Sequence, residues 1–408
     1  MLTVAEALER VTSSARRLPP VRSELRVAVG CVLAENIACE EDQPPFDKAL
    51  VDGYAVRSQD VARHARRLKV SETILAGQTS QRLLAPGEAA QIMTGAPLPP
   101  GADAVVMHEE TTVDGEFVQL GPTDPRPGQN LLRKGRVLEV GTLVLRQGTR
   151  LGPTEVALLA MLGRTQVDIF PRPSLAILAT GDELVEPGQV PGPGQIRNSN
   201  TLLLETLAWQ EGVAAQGFPI VRDEPRELLQ AVSQGLTFDV LVLTGGVSAG
   251  QRDLVPAVLE ELGVQRIFHK IRLKPGKPLW FGVGPKRGDR PGALVFGLPG
   301  NPVSALVGFH LFVKPAVRLL SGREDWAEEA EEARLAMDHP HRGDRPTYHP
   351  ARIIRPRSSA KQPIEVELLP WAGSADLVTL AQADGLAVFP AGDRDFRSGQ
   401  IVPFVRLR

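Results

Sequence analysis

Between residues 173 and 320 short, unbroken apolar runs alternate with segments of helical length, and this alternation restricts the fold more than any other feature of the chain. The runs at 175–179 (LAILA), 213–220 and 240–243 (VLVL) lack the polar alternation of a half-exposed strand. The continuous run 175–179 suits a strand buried on both faces of a parallel sheet. Helices are expected at 200–211, 225–235 and 254–262, strands at 265–270 and 293–296, and a long helix at 302–320. Strands and helices in this order imply a mostly parallel sheet with helices on both faces.

The flanking segments have other textures. Thr3 and Glu6 stand at capping-box spacing ahead of the apolar stripe Val4, Ala7, Leu8, Val11, which predicts a helix over 4–15. A loop over 16–23 leads into a helical or extended stretch ending near Asn36. From 41 to 140, β-like runs at 67–75, 89–93, 104–108 and 117–120 are separated by Gly/Pro turns. A helix is expected over 151–163, with Gly163 past its end. After residue 323 the short runs 364–369, 386–389 and 402–407 suggest a barrel or small sheet. The expected fold is therefore α/β plus β modules. A central three-layer α/β/α domain (173–322) is joined by an inserted β-rich domain (42–140), a small helical linker domain (1–41 with 141–172) and a C-terminal barrel-like β domain (323–408). A length of 408 residues agrees with several domains, at roughly 150 residues each.

Composition excludes several function classes. With Lys+Arg 46 against Asp+Glu 48, the formal charge of −2 gives no broad basic surface for nucleic acid or membranes. Cys31 and Cys39 form no CxxC, and the seven histidines show no HExxH spacing. A disulfide scaffold and a catalytic zinc are both disfavoured, so any metal is expected to be a hard cation on oxygen ligands. The first residues carry Glu6 and Glu9 where a signal peptide would be apolar, and no window is expected to approach the ~20 apolar residues of a membrane span. The expectation is a soluble, cytoplasmic protein.

In an open parallel sheet ligands bind at the carboxyl ends of the strands. Here those loops are rich in glycine, hydroxyls and charge. Run 175–179 leads into Thr180, Gly181, Asp182 and Glu183, and run 240–243 into Thr244, Gly245, Gly246, Ser248 and Gly250, with Asp253 close behind. Run 293–296 leads into Pro299, Gly300, Asn301, Pro302 and Ser304. Glycines let backbone N–H groups approach an anion at a helix start, although alone the 244–250 loop reads equally well as a tight turn. Lys274 and Lys277 bracket the stiff pair Pro275-Gly276 and suit phosphate oxygens, but such a pair is also ordinary on a surface. Gly300-Asn301-Pro302 reads first as a helix start, with Asn301 as N-cap and Pro302 at the first helical position. Asp182 and Glu183 either cap a turn or supply a ligand to a magnesium ion shared with phosphates.

Taken together, these segments resemble the MoeA family of molybdopterin molybdenumtransferases, which includes the E domain of gephyrin. The matching stretches are PPFDKALVDGYAV (44–56), IMTGAPLPPGADAVVMHEE (92–110), LATGDELVEPG (178–188), GQIRNSN (194–200), TGGVSAGQRD (244–253), KPGKP (274–278) and GLPGNPVSA (297–305). The resemblance implies that adenylylated molybdopterin and molybdate are substrates. Mg²⁺-assisted cleavage of the pyrophosphate bond then releases AMP. It also implies an elongated homodimer of four-domain subunits, with the cleft between the β module of one copy and the α/β and C-terminal domains of the other, and it brings in the molybdopterin adenylyltransferase as a partner. By position it assigns Asp52, Glu183, Asp253, Lys274 and Lys277 to the chemistry, with Glu183 and Asp253 on the metal. Thr94, Gly95, Asn198, Ser199, Asn200 and Ser374 join the strand-end loops as substrate-binding positions.

The chain departs from the family pattern where Val137 replaces an active-site Asp and Asn198 replaces another. Lys48, Ala49 and Leu50 stand for a more usual Asn-Ser-Ala, and 345–351 matches poorly. These departures leave open a relative that binds the cofactor or a protein without turnover. An unrelated phosphoryl-transfer enzyme on a similar α/β domain would leave the match in the β module unexplained.

Overall fold

Strand Leu175–Ala179 is fully buried and pairs in parallel with Ala215–Gly217 on one side and Val240–Thr244 on the other. Leu294–Leu298 adds in parallel to Val240–Thr244. Two further strands, Trp280–Val283 and Gln265–His269, complete a six-stranded sheet as an antiparallel pair. A computed structural model describes residues 1–64, 66–246, 254–288, 290–327, 329–355 and 362–407 of the chain. It forms two compact units, one of 1–34, 150–152 and 166–408, the other of 35–149 and 153–165.

In the first unit, successive side chains of the buried strands feed two separate apolar clusters. Leu175, Ile177, Val240, Val242 and Phe296 join one with Leu204, Phe309 and Val313, whereas Ala176, Leu178, Leu241 and Val295 join the other with Leu228 and Val258. Opposite faces of the strands therefore face different helices, as the unbroken apolar runs require. Helix Pro225–Gly235 matches its expected bounds, with Pro225 at its start and Leu228 and Val232 buried. The N-terminal helix Val4–Ser14 carries the expected capping box and buries Ala7 and Val11 against the first cluster.

Two expectations are corrected in this unit. The 302–320 helix is interrupted by a π turn, Phe309–Val313, between Pro302–Gly308 and Lys314–Leu320. Pro315 has no N–H for the carbonyl one turn back, so the ladder must adjust there. This same stretch is long and apolar enough to cross a membrane by length and composition, contrary to the expectation that no window comes close. It is 83% buried, as the core helix of this unit. The strand near 265–270 is present, but antiparallel, and its partner Trp280–Val283 was not anticipated.

The C-terminal stretch closes a five-stranded barrel from Glu331–Leu335, Ile364–Leu368, Thr347–Arg355, Gly385–Phe389 and Ile401–Arg406. Val366, Phe389 and Phe404 fill its core. The second unit holds a six-stranded mixed sheet ordered Ala104–Met107, Gly53–Val56, Glu88–Ile92, Arg67–Ile74, Phe117–Leu120, Thr111–Asp114. Helix Pro153–Met161 belongs to it as well.

Candidate active site

At the carboxyl ends of the parallel strands in the first unit lie three cavities of about 310, 390 and 210 Å³. Asn301 lines all three, so they adjoin. The first is walled by Thr180 and Glu183, by Gly245 and Gly246, and by Pro299, Gly300 and Asn200. Glycine is required at Gly245 in this wall and favoured at Gly181, in the loop beside Glu183. Gly245 has φ +87°, and a Cβ there would overlap the Thr180 carbonyl oxygen. Gly181 has φ +149°, and a Cβ there would stand 2.5 Å from Glu183 Oε2. The bare backbone thus lets the Glu183 carboxylate fold back over the loop. Thr180 donates its hydroxyl to Asp223 Oδ1 at 2.7 Å, and the Asp223 N–H donates to Asp182 Oδ1 at 3.4 Å.

Asn200 is buried and donates Nδ2–H to the Gly300 carbonyl at 2.7 Å, tying the 196–200 segment to the third loop. Asn198 accepts the Thr201 N–H on Oδ1 at 3.2 Å and donates to Thr201 Oγ1 at 2.9 Å. It therefore caps helix Asn200–Gln210 from within the 210 Å³ cavity, where Ser199 is its neighbour.

The 390 Å³ cavity is cationic. Lys274, Lys277 and Arg345 line it with Pro275, Gly276, Ser304, Trp371 and Ser374. The lysine loop is bound to the barrel: Lys274 N–H donates to the Pro346 carbonyl at 2.9 Å, and Tyr348 N–H donates to the Lys274 carbonyl at 2.8 Å. Gly276 has φ +117°. Asp344 is held below the usual carboxylate range by its bond to Arg345, with the Lys277 charge adding to the effect.

Pro302 begins its helix as expected, but the side chain of Asn301 makes no cap bond. Asn301 Nδ2–H donates instead to Ser374 Oγ at 2.8 Å, while the Ser374 carbonyl accepts the Val303 N–H at 3.1 Å. The amide is turned towards the cavity loops rather than along its own helix. Ser248, Gly250 and Asp253 lie outside the described residues.

In the second unit Asp52 Oδ1 accepts both the Thr94 N–H at 2.6 Å and its hydroxyl at 2.7 Å. Those bonds hold the carboxyl below its ordinary value, the backbone N–H contributing most. Gly95 N–H donates to the Ala49 carbonyl at 2.9 Å and so fixes the same loop. Val137 is 59% exposed in this unit. The Asp42 carboxylate and the Glu139 side chain flank Gly135, two residues before it. Sequence reasoning missed Asp223 and Arg345, each remote from the motif it serves and without a local signal, and it passed over Trp371, three residues before Ser374.

Residues 2–163 match the MoeA N-terminal region (domain I and II), 176–319 a "Probable molybdopterin binding domain", and 332–407 the MoeA C-terminal region (domain IV). Among similar proteins are the molybdopterin molybdenumtransferases of Nostoc sp., 36% identical over 94% of this chain and 88% of that one, and of Staphylococcus aureus strain Mu50, 31% identical over 99% and 95%. The molybdopterin biosynthesis MoeA protein from Pyrococcus horikosii superposes with a TM-score of 0.82 at 31% identity, over 100% of this chain and 99% of that one. Three family regions in order, whole-chain relatives and a whole-chain structural match show that this chain belongs to the MoeA family of molybdopterin molybdenumtransferases.

Proposed function

We propose that the protein transfers molybdenum from molybdate to adenylylated molybdopterin, with Mg²⁺-dependent cleavage of the phosphoanhydride and release of AMP, as a homodimer. The observation that supports it most is the convergence of Lys274, Lys277 and Arg345 on a cavity that shares Asn301 with the strand-end cavity of Glu183. Two lysines and a guanidinium facing one space suit the charge of oxyanions, and a dry, preorganised site uses such charges best where negative charge builds up.

Each loop has a task in this reading. The Gly245–Gly246 backbone and the Pro299–Asn301 turn approach the substrate closely, and Lys274 and Lys277 stabilise charge on the splitting phosphates. Asn301 and Ser374 orient an oxyanion between them. Mg²⁺ agrees with the donor chemistry: among the described residues no three His, Cys, Asp or Glu side chains converge, and this ion takes one or two carboxylates together with substrate phosphates. Glu183 would hold it, with Asp253 as the second carboxylate. When bound it supplies neutralisation of phosphate charge. Asp52, fixed by Thr94, contributes a constant negative charge from the β-rich unit. The substrate must come from an adenylylating enzyme, so direct transfer from the molybdopterin adenylyltransferase belongs to the same proposal.

The test is to supply purified protein with adenylylated molybdopterin, molybdate and Mg²⁺ and to measure AMP. The reading expects molybdate-stimulated release. A second reading, a relative that binds without efficient turnover, is supported by Val137, an exposed apolar residue where the resemblance implies an acid. It expects tight binding with no AMP, and activity gained by Val137→Asp.

A further inference from the structure

His349, on barrel strand Thr347–Arg355, gathers beside the lysine loop with His339 and His341 of the two-stranded ribbon that His339–His341 forms with Arg394–Phe396, and nothing in the mechanism above uses the three. His339 lies 5.3 Å from His349 and 6.2 Å from His341, ring centroid to centroid. Phe389 packs against His339 at 4.5 Å and against His341 at 5.5 Å. His349 meets Trp371 edge to face at 5.4 Å, and Trp371 is a wall of the Lys274 cavity. The backbone joins the two sites: Tyr348, next to His349, donates its N–H to the Lys274 carbonyl.

The surroundings of the rings disfavour their charged form. His349 Nδ1 lies 3.0 Å from the Pro350 carbonyl, which can only accept, so the proton sits on Nδ1 and Nε2 carries the free lone pair. His341 is 3% exposed, and its Nε2 has no hydrogen-bond partner among the described residues. Burial pushes all three rings down, His339 to about 4 with the help of its two neighbours. The Lys274 ammonium pushes both His341 and His349 down further. The other charges acting on the cluster are Arg342, which disfavours a proton on His341, and Asp393, which favours one. The carbonyls of Pro350 and Pro390 favour the charged form of His349 and His341, respectively.

We propose that oxyanion binding between Lys274, Lys277 and Arg345 is coupled to proton uptake by the His339–His341–His349 cluster. An anion seated against Lys274 cancels part of the field that keeps His341 and His349 unprotonated. Coupling between two ligands is reciprocal, so a protonated cluster binds the anion more tightly by the same factor. The like charges of three adjacent rings limit the uptake to a fraction of one proton. This rests on the reading of the Lys274 cavity as an oxyanion site.

The probe is sulfate, a dianion that does not itself titrate between pH 5 and 8. Calorimetry of sulfate binding to the full-length protein, in buffers of different ionisation heat near pH 5.5, counts the protons taken up. The expected result is uptake of a fraction of a proton, and affinity tighter at pH 5.5 than at pH 7.5 by up to about twofold, because the depressed histidines are only partly protonated at the lower pH. His349→Gln should retain sulfate binding at pH 7.5 while reducing both the uptake and the pH dependence. As a measurement needing no variant, the His349 ring protons followed by NMR should titrate higher with sulfate than without. Sulfate binding lost in Lys274→Ala with no proton uptake in the parent overturns the coupling and leaves the cavity reading intact. Binding that is absent, or that survives Lys274→Ala combined with Lys277→Ala, overturns the cavity reading and the coupling with it.

Discussion

Asp52 and Thr94, 42 residues apart, form a two-bond clamp in which a single carboxylate oxygen accepts both the backbone N–H and the hydroxyl of the threonine. Because those bonds stabilise the ionised form, the carboxyl titrates below its ordinary 3.8. Its charge is therefore fixed through the neutral range. Thr94→Val keeps the shape and the N–H bond but removes the hydroxyl. The Asp52 pKa should move back towards 3.8, as followed by NMR, and AMP release should fall by about tenfold, since bonds to charged groups are the stronger ones. An unmoved pKa would show that the hydroxyl does not stabilise the charge.

Glu211 is the buried centre of an ion network, meeting Arg318 at 2.7 Å, Arg323 at 3.0 Å and Lys314 at 3.3 Å. Burial alone would raise its pKa, but the Arg318 bond and the Lys314 and Arg323 charges outweigh this, and the net direction is down. A carboxyl depressed in the folded state contributes stability above its unfolded value of 4.5 and loses it as pH falls through the lower folded value. Glu211→Gln removes the charge shared by three enclosed cations. It should destabilise the fold by about 3 kcal/mol at pH 7 and by much less at pH 3, as measured by urea unfolding.

Gly245 tests the backbone approach at the strand ends. At φ +87°, with the Thr180 carbonyl where a Cβ would go, Gly245→Ala forces the loop to move. The expected cost is about 1–3 kcal/mol, with loss of AMP release far greater than the small fall in Tm would explain. A variant of unchanged activity would remove this loop from the site.

Asn301→Asp exchanges the amide that donates to Ser374 for an acceptor-only group and places a negative charge beside Lys274 and Lys277. The helix should tolerate it, because Asn301 makes no cap bond and an anion suits a helix N-terminus. Oxyanion affinity should weaken about tenfold with Tm held, a separation readable by sulfate titration and calorimetry.

Much of this was legible in the residues because the signals are local. The capping box of Thr3 and Glu6, the Pro225 helix start and the unbroken runs at 175–179 and 240–243 each declare themselves within a few positions. The strand Trp280–Val283 was hidden because it is four residues long, contains Gly282 and follows a segment that reads as loop. The turn of Asn301 towards Ser374 was hidden for another reason. An Asn before Pro satisfies the local rule for a cap, and only a partner 73 residues away draws the amide elsewhere. Arg345 follows the same logic, since its place beside Lys274 depends on how the barrel meets the lysine loop. Asn198 shows the reverse case: a site position by resemblance, its side chain also has a structural task in capping the next helix.

The central claim is that the Lys274 cavity and the Glu183 cavity act together in splitting a phosphoanhydride. Single-turnover AMP release from adenylylated molybdopterin, measured with molybdate across a Mg²⁺ titration for the parent protein and for Lys274→Ala, tests it most directly. The account predicts molybdate-dependent, Mg²⁺-dependent release from the parent and a loss of about a hundredfold or more in the variant, in keeping with removal of one preorganised charge. Equal release from both proteins, or none from the parent at any Mg²⁺ concentration, would contradict it.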